Sequence, residues 1–167
     1  MQHALILCIS ITAVITDIWK GKIPNALIVT GFVIGWNYQT ADKGIPGLLV
    51  FLGGAAVPVL LLAVLFFFRM LGAGDIKLLA VLGGFMGASA IFSCIAAAIL
   101  AGGIISMILV LKRRNLKRRI RYFISYFQNY SETKEWRPYR KVEESDSHFY
   151  FSIPILISVI LYIGGIY

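Results

Sequence analysis

With 167 residues, 59% of them hydrophobic and only 14% charged, the chain is too apolar to coat a soluble domain of this length with polar surface. Its mean hydropathy of +0.81 suits a small all-α polytopic membrane protein, read here as a single membrane domain over residues 1–167. The net charge of +8 could suggest a nucleic-acid binder, but eleven of the sixteen Lys and Arg lie between Lys112 and Lys141. Beside so many apolar segments that cluster reads as an orientation signal and a lipid-headgroup contact, so no nucleic acid is expected.

In chain order, residues 3–18 form the first predicted span. The N-terminus lacks a basic lead-in and a small-residue cleavage site, so the span is expected to be retained and not removed as a signal peptide. DIWKGK is a short polar turn. Pro24 then opens a second helix, where its missing N–H costs nothing, and this span covers 23–38. A loop from Asn37 to Gly47 holds Asp42 and Lys43, and a third span covers 47–69 with a kink expected at Pro58. Residues 78–111 carry no charge. One span needs roughly 20 residues and two need about 40 with a turn. The GGFMGASA stretch can turn the chain, so helices over 76–88 and 90–111 are expected. The basic segment 112–148 follows, and the last span covers 149–167, with Pro154 inside it.

These six spans pass a test of orientation. With both termini outside, the cytoplasmic segments 17–24, 69–77 and 112–148 hold fifteen of the sixteen cations, and Lys43 alone lies outside. That agrees with the positive-inside bias, whereas a single span over 78–111 would reverse it. Within the long cytoplasmic loop, Leu116, Ile120, Phe123 and Phe127 share one helical face with Lys and Arg around it. An amphipathic helix on anionic lipid headgroups is therefore expected over 112–127. Cys8 and Cys94 lie in apolar runs without CxxC spacing, and His3 and His148 stand near opposite ends. No metal site and no cofactor is expected from them.

Two aspartates stand out against this background. Asp17 ends the first apolar run and Asp75 follows two glycines in LGAGDIK; the only other acidic side chain among the first 131 residues is Asp42. A carboxylate near a bilayer is costly enough to suggest a function and a partner. The expected topology places both at the cytoplasmic ends of their spans, where each can be the partner of the other. Two carboxylates held close share one proton, so one can draw a proton from water while the other protonates a leaving group. Gly72 and Gly74 would let the backbone beside Asp75 approach an extended substrate closely. Pro24 and Asn25 fix the restart of the chain after Asp17, and Lys77 could tune the pair electrostatically. Taken alone, each motif has a plainer reading: Asp75 as a helix N-cap after a glycine turn, Asp17 as an interfacial residue paired with Lys20 or Lys22.

Together, DIWKGKIPN and LGAGDIKLLAVLGGFMG resemble the two aspartate motifs of the prepilin peptidases, in the right order and at the right relative topology, with the likeness running over about residues 3–111. The resemblance implies a GxGD aspartic endopeptidase of the bacterial cytoplasmic (inner) membrane. It would remove the leader from type IV or Flp-type prepilin and pseudopilin precursors at the cytoplasmic face. Asp17 and Asp75 become the catalytic pair, and Gly72 and Gly74 the glycines of GxGD. Bifunctional relatives add a methyltransferase portion with a cysteine-rich loop; this sequence starts at the peptidase portion and is closer to the short, peptidase-only members. The family pattern assigns no role to the basic insertion 112–147. Two other classes fit less well. Presenilin-like GxGD proteases carry a Tyr-Asp motif, but Asp17 follows Thr16. A small proton-coupled transporter would show repeats and a midplane site, and no repeat is visible.

Overall fold

The computed structural model describes residues 1–68, 71–112 and 150–166. The amphipathic helix expected over 112–127, and Arg69, lie outside these residues, apart from the backbone at Lys112. The described chain is helical: α1 (Gln2–Lys20), α2 (Asn25–Phe67), α3 (Ala73–Met86), α4 (Ala88–Lys112) and α5 (Ser152–Ile163). Residues 1–102 and 150–167 form one compact unit, which contains every predicted site residue; residues 103–149 form a second. In the described part of the second unit, Ile104, Met107, Ile108 and Leu111 are exposed.

Buried Ile6, Ile9, Ala13 and Asp17 recur at helical spacing along α1, so the face that enters the core also carries the aspartate. The helix stops at Gly21, whose left-handed φ of 63° lets its N–H reach the Asp17 carbonyl at 2.8 Å. Pro24 stands one position ahead of α2 as its N-cap, with an extended ψ of 136°, and not inside the first turn as expected.

The expected loop from Asn37 to Gly47 is not a loop. Helical structure continues through it, because its polar side chains bond back to their own helix: Asn37 Nδ2 donates to the Val33 carbonyl at 2.8 Å and Thr40 Oγ1 to that of Trp36 at 2.7 Å. The interruption is confined to Gly44, whose φ of 62° and ψ of −142° are non-helical. Pro46 restarts the helix in a first turn, where no N–H is needed. Gly44 therefore divides the 43-residue α2 into two arms. It is also where the backbone leaves helical geometry, while Pro58, the expected kink, keeps helical angles and is buried.

The predicted division of 78–111 is present. Gly87, with a φ of 83°, separates α3 from α4. α3 is buried on all sides from Leu78 to Phe85, as befits a helix that is apolar all round. It shares one core with Ile6 and Ile9 of α1, Ile28 and Leu62 of α2, Ile91 and Ile95 of α4, and Ile155 and Val159 of α5. Gly54 of α2 and Gly83 of α3 meet backbone to backbone, so a β-carbon on either would land on the other's carbonyl. Buried Gln39 donates to the carbonyls of Gly84 at 3.2 Å and Phe85 at 3.0 Å, and Gln2 donates to Phe85 as well. These amides satisfy carbonyls that a helix end leaves open away from water.

Among the described helices, α1, α2 and the 88–109 part of α4 are long and apolar enough to cross a membrane. The spans expected over 76–88 and 149–167 correspond to helices of 14 and 12 residues, short of the roughly 20 needed to cross alone. Gly164 and Gly165, the latter with a φ of 73°, close α5 early. Pro154 is its third residue, inside the first turn.

Candidate active site

The two motif segments, far apart in sequence, come together at the end of α1 and the beginning of α3. Gly74 packs on Ile23, where a β-carbon on the glycine would sit 3.4 Å from the isoleucine. Lys77 Nζ donates to Asn25 Oδ1 at 3.1 Å across 52 residues of sequence. The Asp17 charge acts on the Asp75 carboxyl. Every one of the sequence-predicted site residues belongs to this junction: Asp17 in the last turn of α1, Pro24 and Asn25 at the head of α2, and Gly72, Gly74, Asp75 and Lys77 at the head of α3.

Local geometry explains the glycines. Gly72 is the N-cap of α3, in extended backbone with a ψ of 144°, and Asp75 is the third helical residue, so the N-cap reading of Asp75 does not hold. An acidic side chain at this position reaches back to the N-cap N–H, one half of a capping box. The backbone of Gly72 makes this hydrogen bond to the Asp75 carboxylate. A β-carbon on Gly72 would stand only 3.0 Å from Asp75 Oδ2, so glycine leaves the carboxylate room.

The two carboxylates have different surroundings. Asp75 is half-buried ahead of the apolar run that begins at Ile76. Burial, and then the charge of Asp17, push its carboxyl up from 3.8 to about 6, against the opposing pull of the Gly72 backbone. Asp17 is buried, 9% exposed, and accepts a hydrogen bond of 2.6 Å from the Ser152 hydroxyl. Ser152 is the first residue of α5 and is fully buried. Sequence reasoning missed it. The signal available was thin: a serine just ahead of Pro154, at the start of an apolar helix.

Such a pair can hold one proton between two carboxylates, with apparent titrations that belong to the pair. It thereby offers a base and an acid to one substrate. Among the described residues, no three of His, Cys, Asp and Glu gather as a metal-ligand set. Beside the site lies an apolar cavity of about 170 Å³, lined by Leu62, Leu65, Leu71, Leu79, Ile95, Ile99 and Phe151. Leu71 leads into Gly72 and Phe151 into Ser152.

A family model, the type IV leader peptidase family, matches residues 4–107. No curated protein and no solved structure matches the chain. The matched stretch contains both aspartate motifs and stops ahead of α5, the helix that carries Ser152.

Proposed function

Since the chain belongs to the type IV leader peptidase family, and so is a membrane peptidase, we propose that it is an aspartic endopeptidase. In this reading it cuts the leader from type IV or Flp-type prepilins and pseudopilins at the cytoplasmic face of the bacterial inner membrane. The observation that carries the proposal is the meeting of DIWKGKIPN and GAGDIK, which brings the Asp17 charge to bear on Asp75. In hydrolysis the ionised aspartate takes a proton from water, whose oxygen bonds to the scissile carbonyl carbon. The protonated aspartate first hydrogen-bonds the carbonyl oxygen. As the C–N bond breaks, it gives its proton to the leaving amine. Gly72 and Gly74 let an extended substrate backbone come close, and glycine before the scissile bond suits the same close approach.

In this reading the chain crosses the membrane six times with both termini outside. The short helices α3 and α5 are supported by packing among the longer ones, and the basic 112–148 segment stays in the cytoplasm on anionic headgroups. Cysteine labelling, in a chain without Cys8 and Cys94, tests this arrangement. Position 43 should react from outside and positions 20, 118 and 137 only from inside; external labelling at 118 would make 78–111 a single span.

The activity test uses the purified full-length protein in detergent with a precursor that has a basic leader, a glycine and a long apolar helix. One cut after the glycine is expected, and it should persist in EDTA. Loss of cutting in EDTA, restored by a divalent metal, would overturn the aspartic mechanism.

A further inference from the structure

The pairing of Asp17 with Ser152 makes the two aspartates unequal. The serine hydroxyl donates to Asp17 Oδ2 at 2.6 Å, across 135 residues of sequence and inside the core. A short hydrogen bond onto an anion is favoured over one onto a neutral acid. Ser152 also opens α5, so Asp17 sits at a helix N-terminus, where partial positive charge supports a carboxylate. Among the described residues no side-chain hydrogen bond to Asp75 corresponds to this one, and its support comes from the Gly72 backbone.

Among the described residues, the charged groups on the helices packed against α1 have other partners or positions. α3 contributes Asp75, and Lys77 is turned to Asn25. The titratable side chain of α5, Tyr162, stacks near His3 at the far end of α1, with ring centroids 5.6 Å apart. Asp42 and Lys43 of α2 are exposed beside Gly44, and Lys20 and Lys22 are exposed on the Asp17 segment itself.

We propose that Ser152 is a positioning residue for Asp17: its hydroxyl holds that carboxylate as the ionised, water-activating member of the pair and leaves the shared proton on Asp75. This inference rests on the leader-peptidase reading above. The upward push on Asp75, caused first by burial, agrees with it. The hydroxyl does not touch substrate. It fixes which carboxylate is the base, and where its free oxygen points.

The test measures steady-state cleavage of the same precursor, from acid to alkaline pH, by the full-length wild type and by Ser152→Ala, Ser152→Thr and Ser152→Cys. Thermal melts of each protein in the same detergent are run alongside. Ser152→Ala should lower kcat about 10-fold or more, as expected for loss of a hydrogen bond to a charged group, and leave KM within about twofold. The acid limb of its pH profile should differ from that of wild type, a change that a merely structural role for Ser152 would not produce. Ser152→Thr, which keeps the hydroxyl, should recover most of the rate. Ser152→Cys, a near-isosteric but weak donor, should behave like Ser152→Ala and stands in for it if the alanine variant does not fold.

Folded Ser152→Ala with the wild-type rate and pH profile would overturn the assignment. So would an equal loss in folded Ser152→Ala and Ser152→Thr, or a failure of both the alanine and cysteine variants to fold, which would give Ser152 to folding alone. A wild type that does not cut, or Asp17→Asn cutting as well as wild type, defeats the leader-peptidase reading instead, and that outcome is separate.

Discussion

The two ends of α3 are built for opposite purposes. At its C-terminal end Gly83 and Gly84 lie against Gly54 and the Phe51 ring, Phe85 is almost wholly buried, and the last carbonyls are bonded by Gln39 and Gln2. At its N-terminal end, one half-buried carboxylate stands between two glycines and an exposed lysine. The first end gains stability from close packing and from hydrogen bonds to its terminal carbonyls. The second keeps a charge partly out of water, beside another of the same sign, and this lifts the Asp75 carboxyl to about 6. A helix held fast at one end can carry an energetically unfavourable group at the other without moving away from it.

The sharpest way to break this comparison is to remove the chemistry and keep the packing. Asp17→Asn and Asp75→Asn should each cut the rate of leader removal by about 10³-fold or more, because in the proposed mechanism the two carboxylates act as a unit. Membrane insertion and abundance should stay near wild type, since neither change touches the Gly54–Gly83 contact. Cleavage by the purified variants, read with their melting curves, checks both halves; substantial cutting by either folded variant ends the assignment of the pair.

The opposite substitution removes the packing and keeps the chemistry. In Gly54→Val the new side chain meets the Gly83 carbonyl, which is backbone and cannot turn aside. Overpacking of this kind costs about 1–3 kcal/mol or more, so the yield of folded protein should fall severalfold, with both carboxylates still in place. The activity that remains, expressed per folded molecule, should stay within about threefold of wild type if the damage is to stability alone. Wild-type yield and melting would show that α2 and α3 are not held by this contact.

The difference between the two ends also decides what the sequence discloses. The pair was legible because charge is scarce: among the first 131 residues there are three acidic side chains, and two of them sit in recognisable glycine and proline settings. The division at Gly87 was legible too, since two adjacent glycines and a third announce a turn in an uncharged run. The continuation of α2 to Gly44 was not. Asn37, Gln39, Thr40 and Asp42 look like a loop in one dimension, but Asn37 and Thr40 bond to their own helix and Gln39 to the end of α3. Ser152 was hidden for a related reason. A single hydroxyl in an apolar helix acquires meaning only from what lies opposite it, and Asp17 is 135 residues away. Tertiary contacts that reassign polar residues leave no periodic trace.

A smaller effect should follow from the unfavourable ionisation of Asp75. Its folded carboxyl binds a proton more tightly than the usual value of 3.8. The associated stability is present below that value and is lost as pH rises through about 6. Asp75→Asn mimics the protonated form at every pH. Its melting temperature should therefore exceed that of wild type by a few degrees at neutral pH, and the advantage should vanish in acid, where wild-type Asp75 is already neutral. A variant less stable than wild type at neutral pH would mean that the hydrogen bond to Gly72 outweighs burial and the charge of Asp17.

The smallest expected effect on cleavage lies in the basic stretch, far in sequence from both motifs. A leader carries basic residues of its own, and like charges repel, so the cations of 112–147 are unsuited to recognising it. Anionic headgroups are the better match, at about 1 kcal/mol for each Lys or Arg near the surface. Reversing Arg113, Arg114, Arg118 and Arg119 to glutamate should weaken association with anionic lipid or disturb insertion. The correctly inserted and purified variant should still cut precursor in detergent within about twofold of wild type, because detergent removes the surface that these charges serve in the proposed arrangement. Co-purified anionic lipid and the cleavage rate, measured on the same sample, separate the two roles. A collapse of cutting in detergent, with melting unchanged, would move the basic stretch from the lipid surface into the substrate site.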